Sequence, residues 1–336
     1  MDRRIITTGV FLAGLLGARP ALAQDHVWTS DRPDGHAPAG VKSDFLLSFG
    51  QLYVGYRYNA EKFRGTLQGT QVVEDFEILD SFAVAPLTHD RWTGEVDVRF
   101  GLTNFTTLEF SVPWVRNKML NITDTGIDET STQFIGDISI RGLFELLDMD
   151  GYRLSLTLGG SIPTGKIGKR GLTSTGVRGV LPFTMQGGSG SPDILAGGTF
   201  EAQNEVSSVG AQINSVIRPV NNGQGYRLGD EFDFTVWGAY NVSDWISVSL
   251  RGVFEHQAEV NGSDPRTDGL ADPLANPFAQ GGKRIFVPIG MSLYLRDGEA
   301  AGHRLSIEFY YPVHEDLNGP QLSVSRALVV SWQTVF

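Results

Sequence analysis

From about residue 90 onward, apolar and polar positions alternate with period two. Val96, Val98 and Phe100 alternate with Glu95, Asp97 and Arg99. Ile138, Ile140, Phe144 and Leu146 alternate with Asp137, Ser139, Arg141 and Glu145. The same pattern sets Leu154, Leu156 and Leu158 against Arg153, Ser155 and Thr157, and Phe232, Phe234 and Val236 against Glu231, Asp233 and Thr235. Ile246, Val248, Leu250 and Phe254 alternate with Ser247, Ser249, Arg251 and Glu255, and Leu305, Ile307 and Phe309 with Arg304, Ser306 and Glu308. Successive strand side chains point to opposite faces, so each segment has one apolar and one polar face. No segment of comparable length has the period of an amphipathic helix. The pattern predicts twelve strands, at about 48–59, 91–101, 105–115, 134–146, 152–163, 193–203, 207–219, 229–240, 245–257, 284–296, 303–313 and 321–336.

The connections alternate in length. Short ones fall at 102–104, 147–151, 203–206, 241–244 and 297–302; long ones near 60–90, 116–133, 164–192 and 258–283, with intermediate ones near 220–228 and 314–320. Short turns at one end and long loops at the other, with strands of the ~9–11 residues that span a bilayer, predict an all-β fold: a transmembrane antiparallel up-and-down β-barrel of the bacterial outer-membrane type. A soluble sandwich or lipocalin-like barrel also alternates, with its apolar face inward. Here the polar face is charged in nearly every strand, and twelve strands enclose too wide a space to be dry. The aromatics also gather at strand ends. Tyr152, Tyr240, Trp245 and Phe336 lie beside the short turns, and Tyr58, Trp114 and Tyr311 lie at the opposite ends. Two such belts suit the two interfaces of a lipid-facing band.

The last strand is read with Leu322, Val324, Leu328, Val330 and Trp332 on its lipid face, ending in Phe336. A terminal Phe on such a strand resembles the signal read by the outer-membrane assembly machinery, so that machinery and membrane lipid are the expected partners. Arg326 interrupts this face roughly 25 Å from Phe336 at ~3.3 Å rise and ~40° tilt, at the far interface, where its cost is small. Pro288 falls inside the tenth strand, where it removes a ladder hydrogen bond and predicts a bulge nearby.

Arg3 and Arg4, the apolar run Ile5–Leu16 and Ala21-Leu22-Ala23 form the three parts of a secretory signal peptide over residues 1–23. Residues 24–44 then form a periplasmic N-terminal segment, and 45–336 the barrel. Of 336 residues, 19% are charged and none is Cys, which excludes disulfides, thiolate metal sites and Cys nucleophiles. A net charge of −11 argues against nucleic acid as a partner.

Twelve strands at ~4.8 Å spacing and ~40° tilt give a backbone radius of roughly 12 Å, enough for a small solute. The inward face mixes signs. Arg57, Arg99, Arg141, Arg153, Arg251, Arg284 and Arg304 oppose Glu95, Asp97, Glu109, Asp137, Glu145, Glu231, Asp233, Glu255 and Glu308. This charge layer either holds a water-filled wall open or forms a constriction. The Gly-rich loop 164–192 has the backbone freedom to fold over the pore mouth, with Lys166, Lys169 and Arg170 available to tether it to lumen carboxylates.

Enzyme motifs are incomplete. Gly160-x4-Gly165-Lys166 is followed by Ile167 where a P-loop needs Ser or Thr, and Gly187-Gly188-Ser189-Gly190-Ser191 lacks the final Gly of a nucleophile elbow. The six histidines, His26, His36, His89, His256, His303 and His314, show no metal-binding spacing. His256 and His314 both fall near outer strand ends and could meet. No cofactor, catalytic residue or metal site is expected.

Gly136-Asp137-Ile138-Ser139, then Ser161-Ile162-Pro163-Thr164-Gly165-Lys166, then Met185-Gln186-Gly187-Gly188-Ser189-Gly190-Ser191-Pro192-Asp193 resemble motifs of the MetA-pathway phenol-degradation family of outer-membrane transporters. Asp34-Gly35-His36-Ala37-Pro38-Ala39-Gly40-Val41, followed by Tyr53 to Tyr58, is similar to the mature N-terminus of one branch. That branch carries a His/Met-rich stretch where this chain reads Lys42-Ser43-Asp44-Phe45-Leu46-Leu47. The resemblance implies passive passage of small aromatic or hydrophobic compounds. A lipid-active enzyme and a closed structural or ligand-binding barrel are the alternatives.

Overall fold

A computed structural model describes residues 27–123, 126–172 and 178–336; the expected signal peptide at 1–23 lies outside them. The alternating segments close into a twelve-stave antiparallel barrel. The staves are β1 (Leu52–Gly69), β2 (Val84–Thr103), β3 (Thr106–Thr123), β4 (Gly126–Ile135 and Ile138–Met149), β5 (Tyr152–Ile162) and β6 (Asp193–Gln203). They continue as β7 (Ser207–Ile217), β8 (Glu231–Asn241), β9 (Ile246–Gln257), β10 (Gly282–Phe286 and Ile289–Tyr294), β11 (Arg304–Tyr310) and β12 (Pro312–Val335). Each pairs with its neighbours in sequence, and Tyr53↔Val335, Arg57↔Ser331 and Lys62↔Arg326 close the ring. Closure satisfies every ladder inside the wall, which a bilayer demands. No helix among the described residues is long and apolar enough to cross a membrane; the strands do so.

The two faces of the strands resolve as the alternation requires. Phe100, Phe110, Phe200, Val236, Leu250 and Phe309 are exposed on the outside, while Glu95, Arg99, Glu109, Arg251, Arg304 and Glu308 are buried within. An apolar exterior around a charged interior is the inverse of a soluble domain, and it makes lipid the outer solvent.

Two local readings change, and the irregularity expected near Pro288 is present. The long loops expected at 60–90 and 116–133 are largely strand, because β1 to β4 run on past the membrane. Pairs such as Arg116↔Gln133 and Lys118↔Ser131 put polar groups on the outer face, while the inner face carries Asn117, Met119, Thr130 and Thr132, all buried, so apolar–polar alternation is lost while pairing continues. Next, β10 breaks between Phe286 and Ile289, with Pro288 in the gap. The register shifts between Ile285 and Phe286 against β12, and Val287 N–H and Arg251 N–H still bond across the break, to the Tyr311 and Pro288 carbonyls at 2.9 Å.

Finally, the phase of β12 reverses. Lys62 pairs with Arg326 but Phe63 pairs with Val324, leaving Ser325 as the extra residue of a bulge. Leu328 and Val330 keep the lipid phase. Leu322 and Val324, expected beside them, point inward and pack in the lumen wall.

Candidate functional site

The short-turn end of the lumen is filled by the chain's own N-terminal segment. Residues 24–44 were expected in the periplasm; over its described part, 27–44, the segment lies inside the barrel. The inward arginines explain this. Arg304 donates to the carbonyls of Ser30, Arg32 and Pro33 at 2.9, 2.7 and 2.5 Å. Arg57 donates to those of Ala39 and Val41 at 2.8 Å. In return Gly40 N–H donates to Glu308 at 2.5 Å, and the Ser43 hydroxyl donates to Glu109 at 2.8 Å. Lys42 meets Glu95 at 2.7 Å, and Asp44 meets Arg99 at 3.3 Å. Ala37 and Val41 pack on Trp237, and Phe45 and Leu47 on Tyr53. Trp28 lies under the Arg153 guanidinium at 4.9 Å. Backbone carbonyls and a few side chains thus give buried guanidinium groups the partners that water would otherwise supply.

Most of the expected charge layer belongs to this seat. Arg57 reaches Glu95 at 3.3 Å and Asp97 at 3.6 Å. Glu109 bridges Arg99 at 2.6 Å and Arg141 at 2.9 Å. Arg251 pairs with Glu308 at 3.1 Å and also donates to the Tyr310 hydroxyl. Arg284 pairs with Glu315 at 3.0 Å, and Glu231 with Arg218 at 2.9 Å. Glu145 stands apart near the inner rim, lining a small pocket of about 90 Å³ with Asp148 and Arg153. Asp233 and Glu255 face open space higher in the lumen.

His36 is part of the seat. Its ring lies 3.9 Å from that of Phe45, and its Nδ1 is 2.6 Å from the Gln333 side-chain nitrogen. Burial, reinforced by Arg304, Arg99 and Arg153, holds its pKa well below 6.5. The ring is therefore neutral, with Nδ1 accepting from the Gln333 amide while the Gln333 oxygen accepts from Tyr53 at 3.0 Å.

Above the segment is a chamber of about 730 Å³, floored by Gly40 and Lys42. Its outer side is formed by the loop after β5, which folds inward and lines it with Phe183, Gln186 and Ser189. Met119, Leu181, Met185 and Leu274 pack together there. The fastening differs from the one expected. Among the described residues Lys166, Lys169 and Arg170 pair with no carboxylate; Lys169 Nζ donates to the Gln133 carbonyl and Arg170 to that of Arg178. Instead Asp137, at the start of the second part of β4, accepts from Gly165 N–H and Ser189 N–H, both at 2.8 Å, and the Ser189 hydroxyl lies 3.0 Å away. The Thr164 hydroxyl donates to the Gly136 carbonyl at 2.8 Å. A Cβ on Gly188 would overlap the Asp137 carboxylate, so the glycines admit this approach. The three motifs quoted from the sequence are the parts of one latch.

One side of the chamber is apolar, built on Val253, Phe286, Val324 and Ala327, with Phe63 and Tyr310 against them. His256 lines the chamber while His314 is exposed, and β10 separates them. The reading from sequence missed Lys42, Ser43, Asp44 and His36 as lumen residues. One signal was present: Trp237 continues the polar face of β8, an aromatic where a water-filled wall has no use for one.

Among solved structures, the COG4313 outer membrane channel from Pseudomonas putida F1 matches with a TM-score of 0.59 and 12% identity, over 88% of this chain and 99% of that chain. The likeness shows the fold, a barrel of the outer membrane. The Pseudomonas putida toluene transporter TodX (TM-score 0.43, 10% identity, 93% of this chain and 98% of that one) is also similar. So is the transport unit of the Escherichia coli autotransporter AIDA-I (TM-score 0.47, 10% identity, 88% of this chain and 91% of that one). No curated protein matches the sequence. The family model "Putative MetA-pathway of phenol degradation" matches residues 64–282, a stretch that holds the whole Asp137 latch and stops short of the N-terminal segment, and the chain belongs to that family.

Proposed function

We propose that the protein is an outer-membrane channel for passive diffusion of small solutes that carry an apolar or aromatic face. The observation that carries this reading is the chamber. Its volume of about 730 Å³ is that of a small-molecule site, and it lies inside the wall, between the N-terminal segment and the inward-folded loop. Its apolar side offers a surface to a ring or alkyl body, and the charged remainder keeps the path wet. Membership of a family described by phenol degradation supports aromatic permeants. The outer face, where a lipid-active enzyme would need its catalytic groups, is apolar.

The test is uptake into liposomes containing the full-length protein, with phenol and a neutral sugar of similar size compared, alongside conductance in planar bilayers. Faster phenol entry with measurable conductance is the expected result. A correctly folded barrel that passes neither ions nor phenol would refute the reading in favour of a closed barrel.

A further inference from the structure

The cations around the chamber are already engaged. Lys42 and Arg57 sit on Glu95, Arg141 on Glu109, Arg218 on Glu231, Arg251 on Glu308 and Arg284 on Glu315. Three carboxylates are left facing the space: Glu61, Asp233 and Glu255. Asp233 and Glu255 are directly paired positions of β8 and β9, and neither has an ion pair among the described residues. Glu61, on β1, has only Arg91 at 4.0 Å. Across the β9–β10 pair Glu255 stands opposite Arg284, which Glu315 already holds at 3.0 Å.

Two further observations say what would relieve this excess. No group among the described residues has the spacing to hold a metal ion, so the carboxylates are too dispersed for a bare divalent cation. Beside them stand aromatic rings. Phe63 stacks on His89 at 5.2 Å, and Phe286 meets Tyr310 edge-on at 5.9 Å, all four lining the chamber. A dispersed negative field next to aromatic faces suits a bulky cation with an apolar body. The charge separates the like-charged pair, and the body covers the rings.

We propose that the chamber holds a subsite for a small organic cation of the arylalkylammonium class, with the ammonium among Asp233, Glu255 and Glu61 and the body against Phe63 and Phe286. Anionic congeners such as aromatic carboxylates are disfavoured there by like-charge repulsion. The transport consequence rests on the channel reading; the binding does not.

The experiment uses the full-length protein in detergent, with benzyltrimethylammonium as the probe in calorimetry and benzoate and benzyl alcohol as competitors. The wild type binds the cation, and benzoate does not displace it. Asp233→Asn with Glu255→Gln, which preserve shape, lower the affinity at least tenfold while the barrel keeps its heat-modifiable mobility; Glu61→Gln gives a smaller loss. Equal binding by wild type and double variant, or displacement by benzoate as effective as by a second cation, overturns the subsite. The same preparations in planar bilayers separate the two readings. Cation-selective binding without conductance upholds the subsite and refutes the channel, whereas conductance without charge-selective binding does the reverse.

Discussion

Glu109 ties two wall arginines to the seated segment. It is 2% exposed and serves Arg99, Arg141 and Ser43 together. Replacing buried pairs by apolar groups is often neutral, but removing one partner strands the others. Glu109→Ala therefore costs about 3–5 kcal/mol of barrel stability, read as the urea midpoint in lipid vesicles, because Arg141 loses its ion-pair partner and Arg99 keeps only Asp44 at 3.3 Å. A loss below about 1 kcal/mol would mean that water reaches Arg99 and the interior is wetter than its burial indicates. His36 acts in the opposite direction to a paired histidine. Its pKa is depressed by burial, so its neutral form is the folded one. The stabilisation is complete above pH 6.5 and is lost as pH falls below that value, when the released segment takes up a proton that the seated one refuses. The proton would also turn the Nδ1 acceptor into a donor facing the Gln333 amide. Conductance should rise on acidification from pH 7.5 to 5, and His36→Asn should flatten that rise; an unchanged pH profile in the variant would remove His36 from the device.

At the scale of elements, the wall was legible and its occupants were not. Strands such as β6 and β9 announce themselves because lipid on one side and charge on the other impose strict alternation. Along 116–123 and 126–133 the outer face is polar and the buried inner face mixes Asn117, Thr130 and Thr132 with Met119, so the constraint vanishes and strand reads as loop. The β12 bulge at Ser325 is hidden for another reason. Leu322 and Val324 are apolar on either side of the phase change, since the lumen wall there is apolar too. Residues 27–47 carry no period at all. Their place follows from arginines on four distant strands, Arg57, Arg99, Arg153 and Arg304, and could be inferred only by asking what satisfies those charges. The Asp137 latch was visible as three motifs but not as one object, because Gly165 and Ser189 meet Asp137 only once β4 and β5 are paired. The phase below the bulge gives a direct test. Val330→Arg places a charge in the lipid band at a cost of about 2–4 kcal/mol, while Ser331→Arg points into the lumen and is tolerated. Heat-modifiable mobility and urea midpoints of the two variants check it, and equal defects would overturn the phase assigned to the last ten residues.

The whole molecule is a tube stopped at two places, and the two stoppers are fastened by different means. The inner one, residues 27–44, is held by charge and by carbonyls offered to Arg57 and Arg304. The outer one is held by the Asp137 latch and by packing of Met119, Leu181, Met185 and Leu274. Salt weakens the ion pairs of the first where water reaches them, and barely touches the apolar contacts of the second. Resistances in series add, so with two stoppers of comparable resistance the one that remains still limits the current. Removing about Gly168 to Gly188 alone opens the mouth of the chamber but leaves its floor, Gly40 and Lys42, in place. Removing 27–44 alone clears the floor but leaves Phe183 to Ser189 across the path. Each truncation should therefore raise single-channel conductance modestly, and the two together by more than the product of the separate effects. The wall should survive both, because its ladder closes through β1 and β12 without either segment. Removing 27–44 does strip partners from Arg57 and Arg304, so that variant should unfold at lower urea than the loop deletion, which leaves the inner seat intact. Single-channel recordings and urea midpoints of the three variants decide the matter. A loop deletion that alone reaches the conductance of the double truncation would show that the N-terminal segment is no barrier, and would leave the outer loop as the single gate.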